Sequence, residues 1–138
     1  MKILKFNEFL NEDYKPKSLD DLIEYIKTRL TEEEGEDSFK DFVDNQELGN
    51  CQGIVNSILS LKIQGLKGVF GEIEIDEPYI DDEGDEQNLM THHWVEYKKQ
   101  ILDFSKNTLK DYIDLEKTDI YDPTDIEEWR YNKKYYKN

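Results

Sequence analysis

An α+β domain is what this sequence predicts, with helices early in the chain and an antiparallel sheet late. Two periodicities and their order carry that expectation. Apolar residues recur at helical spacing through Leu19, Leu22, Ile23, Ile26 and Leu30, and again through Ile54, Val55, Ile58 and Leu59. The helical period stops near Ile63. From Val69 the run Val69-Phe70-Gly71-Glu72-Ile73-Glu74-Ile75 alternates as a strand does. Helices and strands segregated in this way pack as a helical layer on one sheet.

At 138 residues the chain has the size of one domain with one core. Hydrophobic residues make up 36% and charged residues 37%, so aliphatic material is scarce. Nine Tyr, six Phe and two Trp supply the missing bulk. The net charge of −15 argues against unaided binding to nucleic acid or to an anionic membrane, because both are themselves anionic. No apolar run has the length of a membrane span or of a secretory signal core. A single cysteine leaves no intrachain disulfide, and a reducing cytoplasm is the expected setting. No cofactor is implied.

Taken in order, Ile3, Phe6 and Leu10 share a helical stripe that Lys15-Pro16-Lys17 breaks. Residues 1–14 are therefore read as an N-terminal helix or a detachable leader, and residues 15–131 as the domain proper. Ser18, with Asp21 three residues on, makes a capping-box start for the Leu19 helix. Ser38 opens a short helix bearing Phe39, Phe42 and Val43. Gly49 and Asn50 then give the tight entry and N-cap of a helix that begins at Cys51.

Between Glu72 and Glu86 lie nine acids and no Lys or Arg. Its second half, from Glu77, reads as a solvated loop, and its spacing does not match a calcium-binding loop, so no metal site is expected. Thr91 to Ser105 reads as a hairpin interrupted at Lys98-Lys99-Gln100. Lys106 to Asp114 reads as a short helix or turn, and Thr118-Asp119-Ile120-Tyr121 as an edge strand stopped by Asp122-Pro123. The cationic end, residues 132–138, is expected to fray.

Chemistry is concentrated in few residues. A lone Cys with His and an acid elsewhere is the pattern of a thiol nucleophile assembled by folding. Cys51 sits where a helix N-terminus favours the thiolate. The only two histidines, His92 and His93, lie in the hairpin with Asp103. An even-numbered turn sets Glu96 opposite Ile101 and puts His92, Trp94 and Asp103 on one face. His93 then falls on the other with Val95, Leu102 and Phe104. An odd turn would bring His93 to Asp103 instead.

His92-x-Trp94-Val95-Glu96 followed by Ile101-Leu102-Asp103-Phe104-Ser105 resembles the His-x-Trp-Val-Glu…Asp-x-Ser/Thr signature of transglutaminase-like, papain-like cysteine enzymes. Asn50-Cys51-Gln52-Gly53-Ile54-Val55 is similar to their nucleophile helix, and to that of the bacterial cell-wall peptidase branch. The resemblance spans roughly residues 45 to 130. It implies a papain-like fold in which Cys51 is the nucleophile, His92 the base and Asp103 the group that orients it. It also implies an oxyanion donor just upstream, for which Gln46 and Asn45 are the candidates. Trp94, on the same strand face as His92, is the expected cleft wall. The first twelve residues resemble capsid-targeting leaders of large tailed phages, with Leu10-Asn11-Glu12 as the cleavage-like site, which implies a host-cell cytoplasm or a virion as location.

Two function classes follow. The favoured one is a thiol-dependent acyl-transfer enzyme acting on a peptide or amide substrate, a host protein among the candidates. The alternative is a non-enzymatic acidic binding protein, such as a DNA mimic that blocks a host factor.

Overall fold

The computed structural model describes residues 14–34, 51–115 and 122–137. Within them the architecture is α+β. Helices α1 (Leu19–Glu34) and α2 (Cys51–Leu59) precede strands β1 (Leu66–Ile80), β2 (Glu86–Tyr97), β3 (Gln100–Leu102) and β4 (Tyr131–Lys137). The strands form one antiparallel sheet in the order β3-β2-β1-β4. Among the described residues no helix is long and apolar enough to cross a membrane.

The helix starts follow from their caps. Asp21 N–H donates to Ser18 Oγ at 3.1 Å, as the capping-box spacing predicts. The Asp21 carboxylate reaches one residue further back than a Glu would, accepting from Lys17 N–H at 3.0 Å and from the Tyr14 hydroxyl. Tyr14, counted in sequence with the N-terminal segment, is tied into the body: it exchanges backbone bonds with Lys62 and Gln64 and stacks on Tyr25. The remainder of that segment, and the Phe39–Val43 stretch, lie outside the described residues.

Two apolar clusters hold the sheet. In the larger, Leu22, Ile26 and Leu30 of α1 and Ile54, Val55 and Ile58 of α2 pack on Val95, Tyr97, Leu102 and Phe104. Each fully buried aliphatic side chain there contributes roughly 1.5–3 kcal/mol relative to exposure. The smaller cluster joins Ile73 and Ile75 of β1 to Leu109 and Ile113, with Met90, Tyr112 and Tyr131 against it.

The hairpin between β2 and β3 has the even register. Val95 pairs with Leu102, Glu96 with Ile101 and Tyr97 with Gln100, leaving Lys98-Lys99 as the turn. Both lysines have positive φ, 49° and 68°, the backbone of a two-residue turn whose twist matches its strands.

Three expectations differ from the structure. The acidic stretch after Glu77 is strand as far as Ile80, and the loop is only Asp81 to Asp85. Its length is set by the Asp81 carboxylate, which accepts from Glu83 N–H, Asp85 N–H and the Gln87 amide. Residues Tyr131–Lys137, expected as a fraying tail, pair with β1 as β4. His93 is half-buried against Phe70, ring centroids 4.7 Å apart, instead of joining the core. The Thr118–Tyr121 stretch lies outside the described residues.

Gly71 is where β4, β1 and Trp94 meet. It stands opposite His92 in the ladder, and the β1–β4 register shifts between Phe70 and Gly71. A Cβ placed there would fall 2.2 Å from the Asn132 carbonyl oxygen and 2.8 Å from Trp94 Cη2. Backbone cannot yield as a flexible side chain can. Gly71→Ala is therefore expected to destabilise the protein by about 2–3 kcal/mol and lower its melting temperature by roughly 10 °C. Thermal unfolding followed by circular dichroism checks this, and an unchanged melting temperature contradicts the close approach.

Candidate active site

Cys51, His92 and Asp103 converge from three separate parts of the chain. Cys51 is the first residue of α2 and 4% exposed. His92 lies in β2 with 1% exposure, and Asp103 follows β3 with none. The β2–β3 turn brings the last two together, because Asp103 comes one residue after the Val95–Leu102 pair. There it leaves the ladder, its N–H donating to the Pro123 carbonyl at 3.0 Å. β3 is only three residues long. Its early end leaves space beside β2 for the start of α2, where the His93 backbone N–H favours the Cys51 thiolate.

The Asp103 carboxylate is saturated. Oδ2 accepts from His92 Nε2 at 2.8 Å and from the Tyr131 hydroxyl at 2.6 Å. Oδ1 accepts from the Ser105 N–H at 2.9 Å and the Ser105 hydroxyl at 2.8 Å. Burial pushes this carboxyl toward the neutral form, but the charge and hydrogen bond of His92, with the Tyr131 and Ser105 bonds, hold it below the ordinary carboxylate range. Asp103 is thus an ionised acceptor, and His92 Nε2 carries the proton between them.

With Nε2 committed to Asp103, the hydrogen bond between imidazole and thiol uses Nδ1. Burial disfavours a charged His92, yet Asp103 outweighs it, and with the contribution of Cys51 pushes His92 up to about 10. Burial likewise raises the Cys51 thiol. The hydrogen bond and charge of His92 and the His93 N–H reverse this and bring it below its ordinary value, while the Asp103 charge acts weakly the other way. Both directions favour a thiolate–imidazolium pair, which is the reactive state of a cysteine nucleophile. Burial, with the Asp103 charge and hydrogen bond, raises Tyr131 well above its ordinary value, so it remains a donor.

The other predicted site residues fall differently. Trp94 is 1% exposed and packs edge-on against Tyr131, centroids 5.0 Å apart, behind His92 rather than on the cavity beside Cys51. Its Nε1 is a buried donor without a partner. Gln46 and Asn45 lie outside the described residues. Two contributors were not assigned roles from sequence. Ser105 stands in the quoted motif, and its Asp-x-Ser spacing is the signal of a side chain bonding back two residues. Tyr131 stands in a polar stretch that offers no such signal. Among the described residues no group of three or more His, Cys, Asp or Glu side chains is placed to hold a metal ion.

Comparison with protein-family models, with curated proteins and with solved structures gives no match to this chain.

The pair His92–Asp103 has a pH signature with two limbs. His92 is raised in the folded state, so its stabilisation is complete below about 6.5 and is lost as pH rises toward about 10. Asp103 is depressed, so its stabilisation is present above about 3.8 and is lost as pH falls through the lower folded value. With two histidines in the chain, imidazole NMR resonances are readily assigned. In the native protein His92 is expected to remain protonated at pH 8; in Asp103→Asn its titration drops by more than about two units. A His92 that titrates near 6.5 in both proteins contradicts the pairing.

Tyr131→Phe removes one of two donors to Oδ2. It is expected to cost about 1–2 kcal/mol and to move the midpoint of acid unfolding to higher pH, because the carboxylate loses a bond that favours its charged form. Acid titration of wild type and variant by tryptophan fluorescence measures both, and coincident acid midpoints contradict the role given to Tyr131.

Proposed function

We propose that this protein is a thiol-dependent acyl-transfer enzyme with Cys51 as nucleophile, His92 as general base and acid, and Asp103 as the orienting group. The observation that carries the reading is that Cys51 and His92 share one cavity wall, with a buried carboxylate 2.8 Å from His92 Nε2 on the side away from the thiol. A thiol, an imidazole and a carboxylate aligned in that order are the parts of nucleophilic catalysis, and the helix N-terminus adds a favourable dipole for the thiolate.

In the proposed reaction the thiolate attacks a carbonyl carbon, forming a C–S bond and a tetrahedral oxyanion. Backbone N–H groups of the first turn of α2 have no partner within the helix and are the donors this reading assigns to that oxyanion. His92 gives its proton to the departing amine as the C–N bond breaks, leaving a thioester on Cys51. It then removes a proton from the water or amine that attacks the thioester. The resemblance to transglutaminase-like, papain-like enzymes rests on the sequence motifs around Cys51 and from His92 to Ser105, and a cysteine opening a helix beside a histidine–aspartate pair is in keeping with it. The non-enzymatic reading accounts for the charge of −15 but gives no reason to bury a fully bonded carboxylate behind a histidine and a thiol.

The test is the pH dependence of iodoacetamide alkylation at Cys51. The wild-type midpoint is expected below the free-thiol value of about 8.5, with the rate at pH 7 falling at least about tenfold in His92→Ala and less in His93→Ala. Equal midpoints at or above the free-thiol value in wild type and His92→Ala overturn the reading. A greater loss in His93→Ala moves the base to that residue.

A further inference from the structure

Beside the Cys51 sulfur lies a cavity of about 330 Å³, walled by Tyr79, Met90, Thr91, Thr108, Leu109 and Tyr112 together with Cys51 and His92. Around it the chain is dense in acids, from Asp76 to Glu86, yet none of the walling residues is Asp, Glu, Lys or Arg. Two of the four hydroxyls in the wall are engaged within the protein. Thr108 Oγ1 donates to the Ser105 carbonyl at 2.8 Å, and Tyr79 donates to the Leu89 carbonyl at 3.4 Å. Met90, Leu109, Tyr79 and Tyr112 belong to the smaller apolar cluster, so the floor of the cavity is continuous with the core.

Resting on the thiol-enzyme reading above, we propose that this cavity binds the acyl side of the substrate and selects a neutral, bulky apolar group next to the carbonyl that Cys51 attacks. The acyl group stays bonded to sulfur after the leaving group departs, and Cys51 is itself part of the wall. Apart from the Cys51–His92 pair, whose charges serve the reacting centre, the lining offers a charged group no counter-charge, and such a group would lose its hydration there. An apolar chain gains by leaving water. The volume is at the small end of ligand sites and suits a single aliphatic chain or aromatic ring.

Three p-nitrophenyl esters with a common leaving group test this: acetyl, hexanoyl and 6-aminohexanoyl. The Cys51 thiolate forms the C–S bond, the C–O bond to nitrophenol breaks, and p-nitrophenolate leaves with the electron pair. Its absorbance gives the rate, and mass spectrometry locates the acyl group on Cys51. With rates divided by those of free cysteine, hexanoyl is expected to acylate on the order of 30-fold faster than acetyl. The 6-aminohexanoyl ester, of equal chain length but cationic, should fall back to within a few-fold of acetyl. Met90→Trp, which fills the cavity, should lower the hexanoyl-to-acetyl ratio toward one. A flat series that still depends on His92, or a series led by the cationic ester, overturns the cavity proposal and leaves the thiol chemistry standing. Failure of every ester to acylate Cys51 faster than in His92→Ala overturns the thiol chemistry, and the cavity proposal falls with it.

Discussion

A buried, ionised carboxylate is the constraint on which this structure depends. An uncompensated charge in the interior costs several kcal/mol even after relaxation, so Asp103 is tolerable only with its donors in place. Those donors come from β2 through His92, from the turn after β3 through Ser105, and from β4 through Tyr131. β3 and β4 lie at opposite edges of the sheet. Tyr131 spans the distance, its hydroxyl 2.6 Å from Asp103 Oδ2. The same contacts that solve a desolvation problem therefore fix the sheet order and the orientation of the imidazole.

Packing and chemistry are divided between the two sides of this arrangement. The larger apolar cluster seats α1 and α2 on the hairpin and sets where α2 begins. The smaller one supports Met90 and Tyr131 on either side of His92's neighbourhood. Cys51 lies where the two meet, at the short end of β3. Had β3 run on in register past Leu102, it would have occupied the edge of β2 where the His93 N–H favours the Cys51 thiolate. Strand length is thus as much a determinant of the site as any catalytic side chain.

Much of this was legible in the sequence because it depends on local periodicity. The stripes Leu22-Ile26-Leu30 and Ile54-Val55-Ile58 and the alternation from Val69 appear as α1, α2 and β1. The turn parity placed His92 and Asp103 together, since a two-residue turn leaves no freedom in which faces coincide. What sequence did not reveal depends on distant partners. Tyr131-Asn132-Lys133-Lys134 has the composition of a solvated tail. It becomes a strand because β1 offers an edge and because Lys134 and Lys133 find Glu72 and Glu96. Glu77 to Ile80 was hidden likewise: acids and Pro78 weaken strand propensity, and pairing of Tyr79 with Gln87 overrides it.

The reach of Tyr131 back to Asp103, across 28 residues, ties reactivity to the order in which the chain assembles. Contacts of high sequence separation form late, because loop closure must precede them. Until β4 docks, Asp103 lacks one of its donors and a dry surrounding, and its hold on the imidazole is correspondingly weak. A chain caught part-way through folding then carries an ordinary, slow thiol rather than an activated one. On the proposed thiol chemistry, such a protein is spared from modifying itself, or its neighbours, before it is finished.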